Sequence, residues 1–238
     1  MNSSACLSFP PLQKGVLLHR YKRFFADIRL DTGKIITAHC PNTGRMTGCC
    51  EPGREVWAHH SNIPARKLQY DWFLIHMPDT LVGVRTQLPN DLIAHAARMG
   101  LLDTFETYTE VTREVSVSPH SRMDLKLQSP AGKSAYIEIK NCSWVENGIA
   151  YFPDAVTRRG QKHLKTLMEL ATTGDRAALI IVIQRMDALF FKPAFQIDPT
   201  YATLFETVRR NGVEILIFDT ILSPHQICLG KQIPLLHP

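Results

Sequence analysis

Residues 177–183 form an unbroken apolar run, Ala177-Ala178-Leu179-Ile180-Ile181-Val182-Ile183, and no other segment constrains the fold so tightly. The run is far too short for a bilayer-spanning helix, which needs about 20 apolar residues. Its β-branched content and its polar flanks, Arg176 and Gln184, predict a central strand over 176–184 that is covered on both faces. Around it the expected order is α-β-β-β-α-β-α-β. A helix over 91–102 places Leu92, Ala96 and Met99 on one face, with Asn90 as N-cap. Extended stretches follow at 109–116, 122–128 and 134–142. A helix over 157–171 ends before Gly174, and after the central strand come a helix over 201–210, stopped by Gly212, and a strand over 213–218.

The first part of the chain has a different texture, with short strands and with Gly and Pro at the corners. Residues 15–30 predict one long or bent strand, Asp31-Thr32-Gly33 a turn, and 34–39 a strand that pairs back. Pro41-Asn42-Thr43-Gly44 breaks the pattern, and 55–60, 72–76 and 82–86 are further strands. Five or so short strands in about 85 residues predict a five-stranded barrel of the OB type. The whole is expected to be an α+β two-domain chain. Residues 1–86 form the OB-like nucleic-acid-binding part, and 87–238 an α/β part with a mixed central sheet.

Of the 238 residues, 45% are hydrophobic and 21% charged, which supplies a proper core, and the net charge of +5 allows a polyanionic partner without demanding one. The distribution of charge is more telling. Lys14, His19, Arg20, Lys22, Arg23 and Arg29 crowd one region, and Arg158, Arg159, Lys162, His163 and Lys165 another, so two surfaces could follow a phosphate backbone. Residues 1–10 have no basic start followed by an apolar run, so the expected location is the cytoplasm, with the six cysteines as reduced thiols. His39, Cys40, Cys49 and Cys50 suggest zinc only weakly, because there is no C-x-x-C pair and adjacent Cys49 and Cys50 point apart on an extended chain. Buried small side chains are the plainer reading.

The chemistry-bearing pattern lies in the second part. On the strand 134–142, Glu138 and Lys140 project to one side and Ile137 and Ile139 to the other. Asp124 lies on the preceding strand, and thirteen residues separate it from Glu138, a gap that fits a hairpin through Pro130-Ala131-Gly132. Two neighbouring carboxylates repel unless a cation neutralises them, and a hard divalent ion such as Mg²⁺ or Mn²⁺ prefers such oxygen ligands. Asp124 and Glu138 are therefore the candidate metal ligands, with Lys140 as the third catalytic candidate. An Asp, a spacer and Glu-x-Lys on the second and third strands of this core is the arrangement of the PD-(D/E)xK nucleases. Glu-x-Lys alone on an exposed strand is an ordinary solvated pair. The upstream aspartate and the following helix set it apart.

Several basic residues are candidates for phosphate contacts. Arg122 lies beside Asp124, and Arg159, Lys162 and His163 lie near the start of a helix, where the dipole disfavours cations unless they meet an anion. In the first part, Arg20-Tyr21-Lys22-Arg23-Phe24 interleaves cations with aromatics. Arg20, Lys22 and Arg23 are candidate DNA contacts, while Phe24 and Phe25 are expected in the core. Asn42 and Arg45, in and after the Pro41–Gly44 turn, complete the candidate set, and a simple turn is the competing reading.

Taken together, these segments resemble the sugar fermentation stimulation protein (SfsA) family. The resemblance is carried by Arg20-Tyr21-Lys22-Arg23-Phe24 with Ala26-Asp27, His39-Cys40-Pro41-Asn42-Thr43-Gly44 with Met46 and Gly48, Ser121-Arg122-Met123-Asp124, and Tyr136-Ile137-Glu138-Ile139-Lys140. Phe152-Pro153-Asp154-Ala155-Val156-Thr157 with Arg159, Gly160 and Lys162-His163-Leu164 extends it over nearly the whole chain. It implies an OB-like domain, a nuclease-like domain, DNA binding and an influence on sugar (maltose) utilisation. The family's Asn-x-Leu-x-x-Glu-Ala reads here Asn90-Asp91-Leu92-Ile93-Ala94-His95-Ala96. His95 replaces a glutamate that such cores often use near the metal. Either it bonds a water on the ion, with Mn²⁺ favoured, or the site relies on Asp124 and Glu138.

Overall fold

The computed structural model describes residues 4–119 and 121–236, so Met1 to Ser3 of the N-terminal segment read above lie outside the described residues. Strand β1 (Cys6–Ser8) is followed by the barrel strands β2 (Leu12–Tyr21), β3 (Phe25–Leu30), β4 (Ile35–His39), β5 (Glu55–His60), β6 (Tyr70–Met77) and β7 (Thr80–Gly83). Their order is β4-β3-β2-β5-β6-β7, and a short parallel pairing of β4 with β6 (Ala38 with Tyr70, His39 with Asp71) closes five of them into an OB barrel. Alternation explains the closure. Leu17, Ala26, Ile28, Leu30, Ile36, Ala38, Val56 and Ala58 face inward and are buried around Trp72.

The expected single strand over 15–30 is two strands. A turn at 22–24, with Lys22 and Arg23 at φ of 48° and 64°, folds β3 back on β2 so that Tyr21 pairs with Phe25. Cation-rich turns of this kind carry no Asn-Gly signal, so nothing in the composition marks the corner. Gly15 sits where β2 is squeezed between β3 and β5. A Cβ there would lie 2.5 Å from the Arg29 carbonyl oxygen. Gly15→Ala is expected to cost about 1–3 kcal/mol in a denaturant titration; an unchanged midpoint would contradict this close crossing.

The second domain contains α1 (Leu88–Arg98), β8 (Glu110–Ser118), β9 (Ser121–Gln128), β10 (Ser134–Cys142), β11 (Trp144–Glu146), β12 (Ile149–Phe152) and α2 (Arg158–Thr172). It continues with β13 (Arg176–Ile183), β14 (Phe190–Pro193), α3 (Pro199–Arg210), β15 (Glu214–Leu222) and β16 (Gln226–Gln232). The main sheet has the order β1-β16-β15-β13-β10-β9-β8, with β10, β13 and β15 parallel and the outer strands antiparallel. This is the mixed sheet expected, with β13 at its centre and buried from Ala177 to Ile183. One face packs on α1 and the other on α2 and α3. A second, small sheet, β11-β12-β14, was not anticipated, nor was β16.

Helix α1 begins earlier than expected because Pro89 suits the first turn, and it stops at Arg98, with Gly100 at φ 67° beyond it. Gln87 is its N-cap, so Asn90 is freed for another role. Helix α2 starts as expected at the Thr157 cap, whose hydroxyl accepts from the Gly160 N–H at 3.0 Å.

Two expectations for the N-terminus are corrected. Residues 1–86 were assigned to the barrel, but β1 extends the other sheet, pairing Cys6 with Cys228 of β16. The six cysteines were expected as free thiols, but Cys6 and Cys228 form a disulfide across 222 residues, because that pairing sets the two side chains opposite one another. Cys40, Cys49, Cys50 and Cys142 are free. The barrel is also tied to the sheet. Phe73 and Leu74 of β6 enter the core beneath α1, and the Gly83 N–H donates to the Gln184 carbonyl at 2.8 Å.

Candidate metal and nucleic-acid site

The pairing of β9 with β10 runs from Gln128 and Ser134 to Leu125 and Ile137, and Asp124 and Glu138 come next along the two strands. Beyond the last ladder pair the Asp124 carboxylate takes over: its Oδ2 accepts the Ile139 N–H at 2.7 Å. Its Oδ1 accepts from the Asn90 side-chain amide of α1 at 2.9 Å. Burial, together with the nearby Glu138 charge, pushes the Asp124 carboxyl up to about 6.

Glu138 is 2% exposed. Burial alone would raise its pKa, but the His163 hydrogen bond and the Lys140 charge outweigh it and hold the carboxyl below its usual value. Both partners meet one oxygen: Lys140 Nζ and His163 Nδ1 are bonded to Oε1. Arg159 Nε donates to His163 Nε2 at 3.4 Å, which assigns the proton to Nδ1. The other oxygen, Glu138 Oε2, is buried and has no hydrogen-bond partner. A buried, anionic, unpartnered oxygen near a second carboxylate is the donor set a hard divalent cation fits. Among the described residues no group of three or more His, Cys, Asp or Glu could hold a metal, so water or ligand oxygens would have to complete the coordination of an ion held by these two carboxylates.

Beside this pair an open groove of about 600 Å³ is lined by Arg122, Arg158, Arg159, Lys162, His163, Glu114, and the serines 116, 118 and 121. The structure thus brings together Arg122, Arg159, Lys162 and His163 of the expected set, and adds Arg158. Helix α2 is held in place by the hydroxyl contact of Ser121 with Thr166 at 3.0 Å, and by Asp198, the α3 cap. Asp198 Oδ2 accepts the Thr157 N–H at 2.9 Å. Gly160 lets α2 approach: a Cβ would lie 3.2 Å from the Tyr201 ring.

The barrel candidates divide. Lys22, Arg23 and Arg45 are exposed. Arg20 is engaged within the protein: its guanidinium donates to the carbonyls of Arg23 (3.0 Å), Asn42 (2.8 Å), Gly44 (2.9 Å) and Arg45 (3.3 Å). Asn42 is buried, with Oδ1 accepting the Gly44 N–H at 2.9 Å, which makes it a turn former. Arg20→Ala is expected to lower stability by about 1.5–3 kcal/mol in thermal or chemical unfolding. A variant of unchanged stability with weakened DNA affinity would instead make Arg20 a phosphate contact.

Phe24, expected in the core, is 48% exposed on the 22–24 turn. His95 makes no side-chain hydrogen bond or ion pair among the described residues and lies one turn after Asp91, which is bound to Arg113 at 2.6 Å. The Cys40 and Cys49 thiols donate to the carbonyls of Asn42 and Met46, and burial pushes Cys49 up to about 12, while His39 turns to Asp71 at 3.4 Å. Sequence reasoning missed Asn90 as a partner of Asp124, His163 as a partner of Glu138, and Asp198. Only Asn90, singled out as the N-cap of an expected helix, left any trace.

A closed OB barrel joined to a mixed sheet that carries an Asp…Glu-x-Lys set defines a two-domain protein with a nuclease-like second domain. Residues 87–226 match the family described as "Sugar fermentation stimulation protein RE domain", and residues 18–84 match "SfsA N-terminal OB domain". The chain belongs to the sugar fermentation stimulation protein family. It is 42% identical over 226 residues to the Geobacter sulfurreducens homolog, covering 95% of this chain and 97% of that one. With a Shewanella baltica homolog it shares 43% over 224 residues, covering 93% and 96%. Its fold is similar to that of Pyrococcus furiosus SfsA in complex with Ca²⁺, with a TM-score of 0.88, 25% identity, and coverage of 99% of this chain and 100% of that one.

Proposed function

We propose that this protein binds DNA in the groove between β8, β9 and α2, beside a divalent-metal site formed by Asp124 and Glu138. The observation that carries the reading is the buried, unpartnered Glu138 Oε2 beside a groove lined by Arg122, Arg158, Arg159 and Lys162. The Ca²⁺ in the Pyrococcus furiosus relative supports a divalent ion here, and the all-oxygen donor pair suits Mg²⁺ or Mn²⁺. When bound, the ion would neutralise the carboxylate pair and polarise a phosphate or water oxygen. Asn90 and the Ile139 N–H fix the Asp124 carboxylate. His163 and Lys140 fix the Glu138 carboxylate, and Arg159 orients His163. The groove cations hold the phosphate backbone.

Phosphodiester hydrolysis is a second reading, favoured by Lys140. Its ammonium sits within hydrogen-bond reach of Glu138 on a side chain only 14% exposed, so it can support charge developing on a phosphate. The cytoplasm is the proposed location; among the described residues no helix is long and apolar enough to cross a membrane. A role in sugar (maltose) utilisation rests on the family name alone.

Fluorescence anisotropy with labelled duplex DNA over a salt series tests DNA binding. Removing Arg122 and Arg158 together is expected to weaken binding about tenfold near physiological salt and to lower the log–log salt slope by about 2. Unchanged affinity and slope in the double variant would refute the groove assignment.

A further inference from the structure

The outer face of the barrel carries a feature that the groove does not explain. His19 and Tyr21 of β2 and Phe25 of β3 project outward, opposite the buried Ala26 and Ile28. Their rings form a stack: His19 to Tyr21 at 5.0 Å and 24°, and Tyr21 to Phe25 at 5.3 Å and 22°. The His19 side chain is 58% exposed. In such a stack the inner ring faces cover one another and the exposed His19 forms an open end on which a further ring can stack, unlike the edge-on packing of most buried pairs.

Three further observations point to what lies on this face. First, the adjoining turn keeps Lys22 and Arg23 at positive φ, where Gly or Asn would sit with less strain. The strained positions are thus occupied by cations, with Phe24 exposed next to them. Second, Arg29 projects from the same face of β3 and is exposed. Third, the acidic group on the face, Asp27, is already engaged: it accepts from Thr37 at 2.7 Å and from the Tyr21 hydroxyl at 3.5 Å, which fixes the central ring. The turn is also linked to the groove. Arg20 clamps the turn to the 42–45 loop, and the Met46 N–H donates to Asp154 at 3.0 Å, on the segment that leads into α2.

We infer that the His19–Tyr21–Phe25 face, with Lys22, Arg23 and Arg29 around it, is a stacking platform for the unpaired bases of single-stranded DNA. The inference rests on the DNA-binding reading above and narrows its substrate to DNA with a single-stranded stretch leading toward the groove. Rings alternating with cations suit this partner, because every base has a π-face and every linkage a charge. A folded protein partner would instead call for a continuous apolar patch, and Asp27, Lys22 and Arg23 interrupt one.

The test is anisotropy of the full-length protein with a labelled 15-nucleotide oligothymidine and, separately, with a duplex of equal length. Tyr21→Leu removes the ring and Tyr21→Phe keeps it, while His19→Ala trims the exposed end of the stack. The expected result is that Tyr21→Leu and His19→Ala bind the single strand roughly tenfold more weakly. Tyr21→Phe and all duplex affinities should stay within about twofold of wild type. If both ring-removing variants bind the single strand as wild type does, the platform is refuted and the groove reading stands. If wild type binds the duplex but not the single strand, the platform is again refuted. Failure of wild type to bind either DNA would overturn both readings.

Discussion

Glu138→Gln is expected to weaken divalent-ion binding by at least about 100-fold, more than the loss of a supporting outer-shell group. Calorimetric titration with Mn²⁺ is the measurement. The substitution keeps the shape of the side chain and exchanges only a carboxylate oxygen for an amide, so packing around residue 138 is preserved. What is lost is the anionic Oε2, which is buried and has no partner within the protein. The attraction that holds Lys140 and His163 on Oε1 is lost with it. Stability is expected to fall as well, by up to about 3–5 kcal/mol, because the Lys140 ammonium, on a side chain only 14% exposed, loses its counter-charge. The two effects separate the possibilities. Lower stability with unchanged Mn²⁺ affinity would make Glu138 a structural ion-pair partner and put any ion elsewhere.

Trp72→Ala is expected to cost about 3–5 kcal/mol and to loosen the barrel together with the sheet it packs against. Trp72 is the largest fully buried side chain of the chain's described core, 0% exposed, and its indole N–H donates to the Leu74 carbonyl at 2.9 Å. Truncation leaves a cavity inside a small closed barrel whose strands cannot move inward without losing ladder hydrogen bonds. The neighbouring Phe73 and Leu74 pack under α1, so the loss should also be felt in the second domain. Hydrogen exchange after the substitution checks this. Rapid exchange confined to the barrel, with the β13 amides as protected as in wild type, would mean that the two domains unfold independently.

The parts of this fold that rest on local periodicity were legible in the sequence. Strand β10 was expected over the residues it occupies, and the short gap after β9 placed Asp124 near Glu138. The start of α2 near Thr157 and the apolar run of β13 were equally plain. Contacts that depend on the setting of one element against another were not. That His163 faces Glu138 depends on the rotation of α2 on the sheet, which the order of residues alone does not specify. Asn90 was read as a cap because its residue type favours caps, yet Pro89 let the helix begin earlier and turned Asn90 toward Asp124. The turn at Lys22 and Arg23 lacks the usual residues for positive φ, and β1 meets β16 across 222 residues, a distance that hides both the strand pair and its disulfide. Arg20 looked like a phosphate ligand by charge, but its partners are carbonyls supplied by a loop more than twenty residues away.

In the function proposed above, DNA lies beside an ion held by Asp124 and Glu138. The most direct measurement is the affinity of the full-length protein for labelled DNA in Ca²⁺ and in EDTA, for wild type and Glu138→Gln side by side. Without the ion, the two carboxylates repel the phosphates that the groove cations attract, so wild type should still bind in EDTA but more tightly in Ca²⁺. That difference should disappear in the variant. Equal affinity of wild type in Ca²⁺ and EDTA would contradict the account.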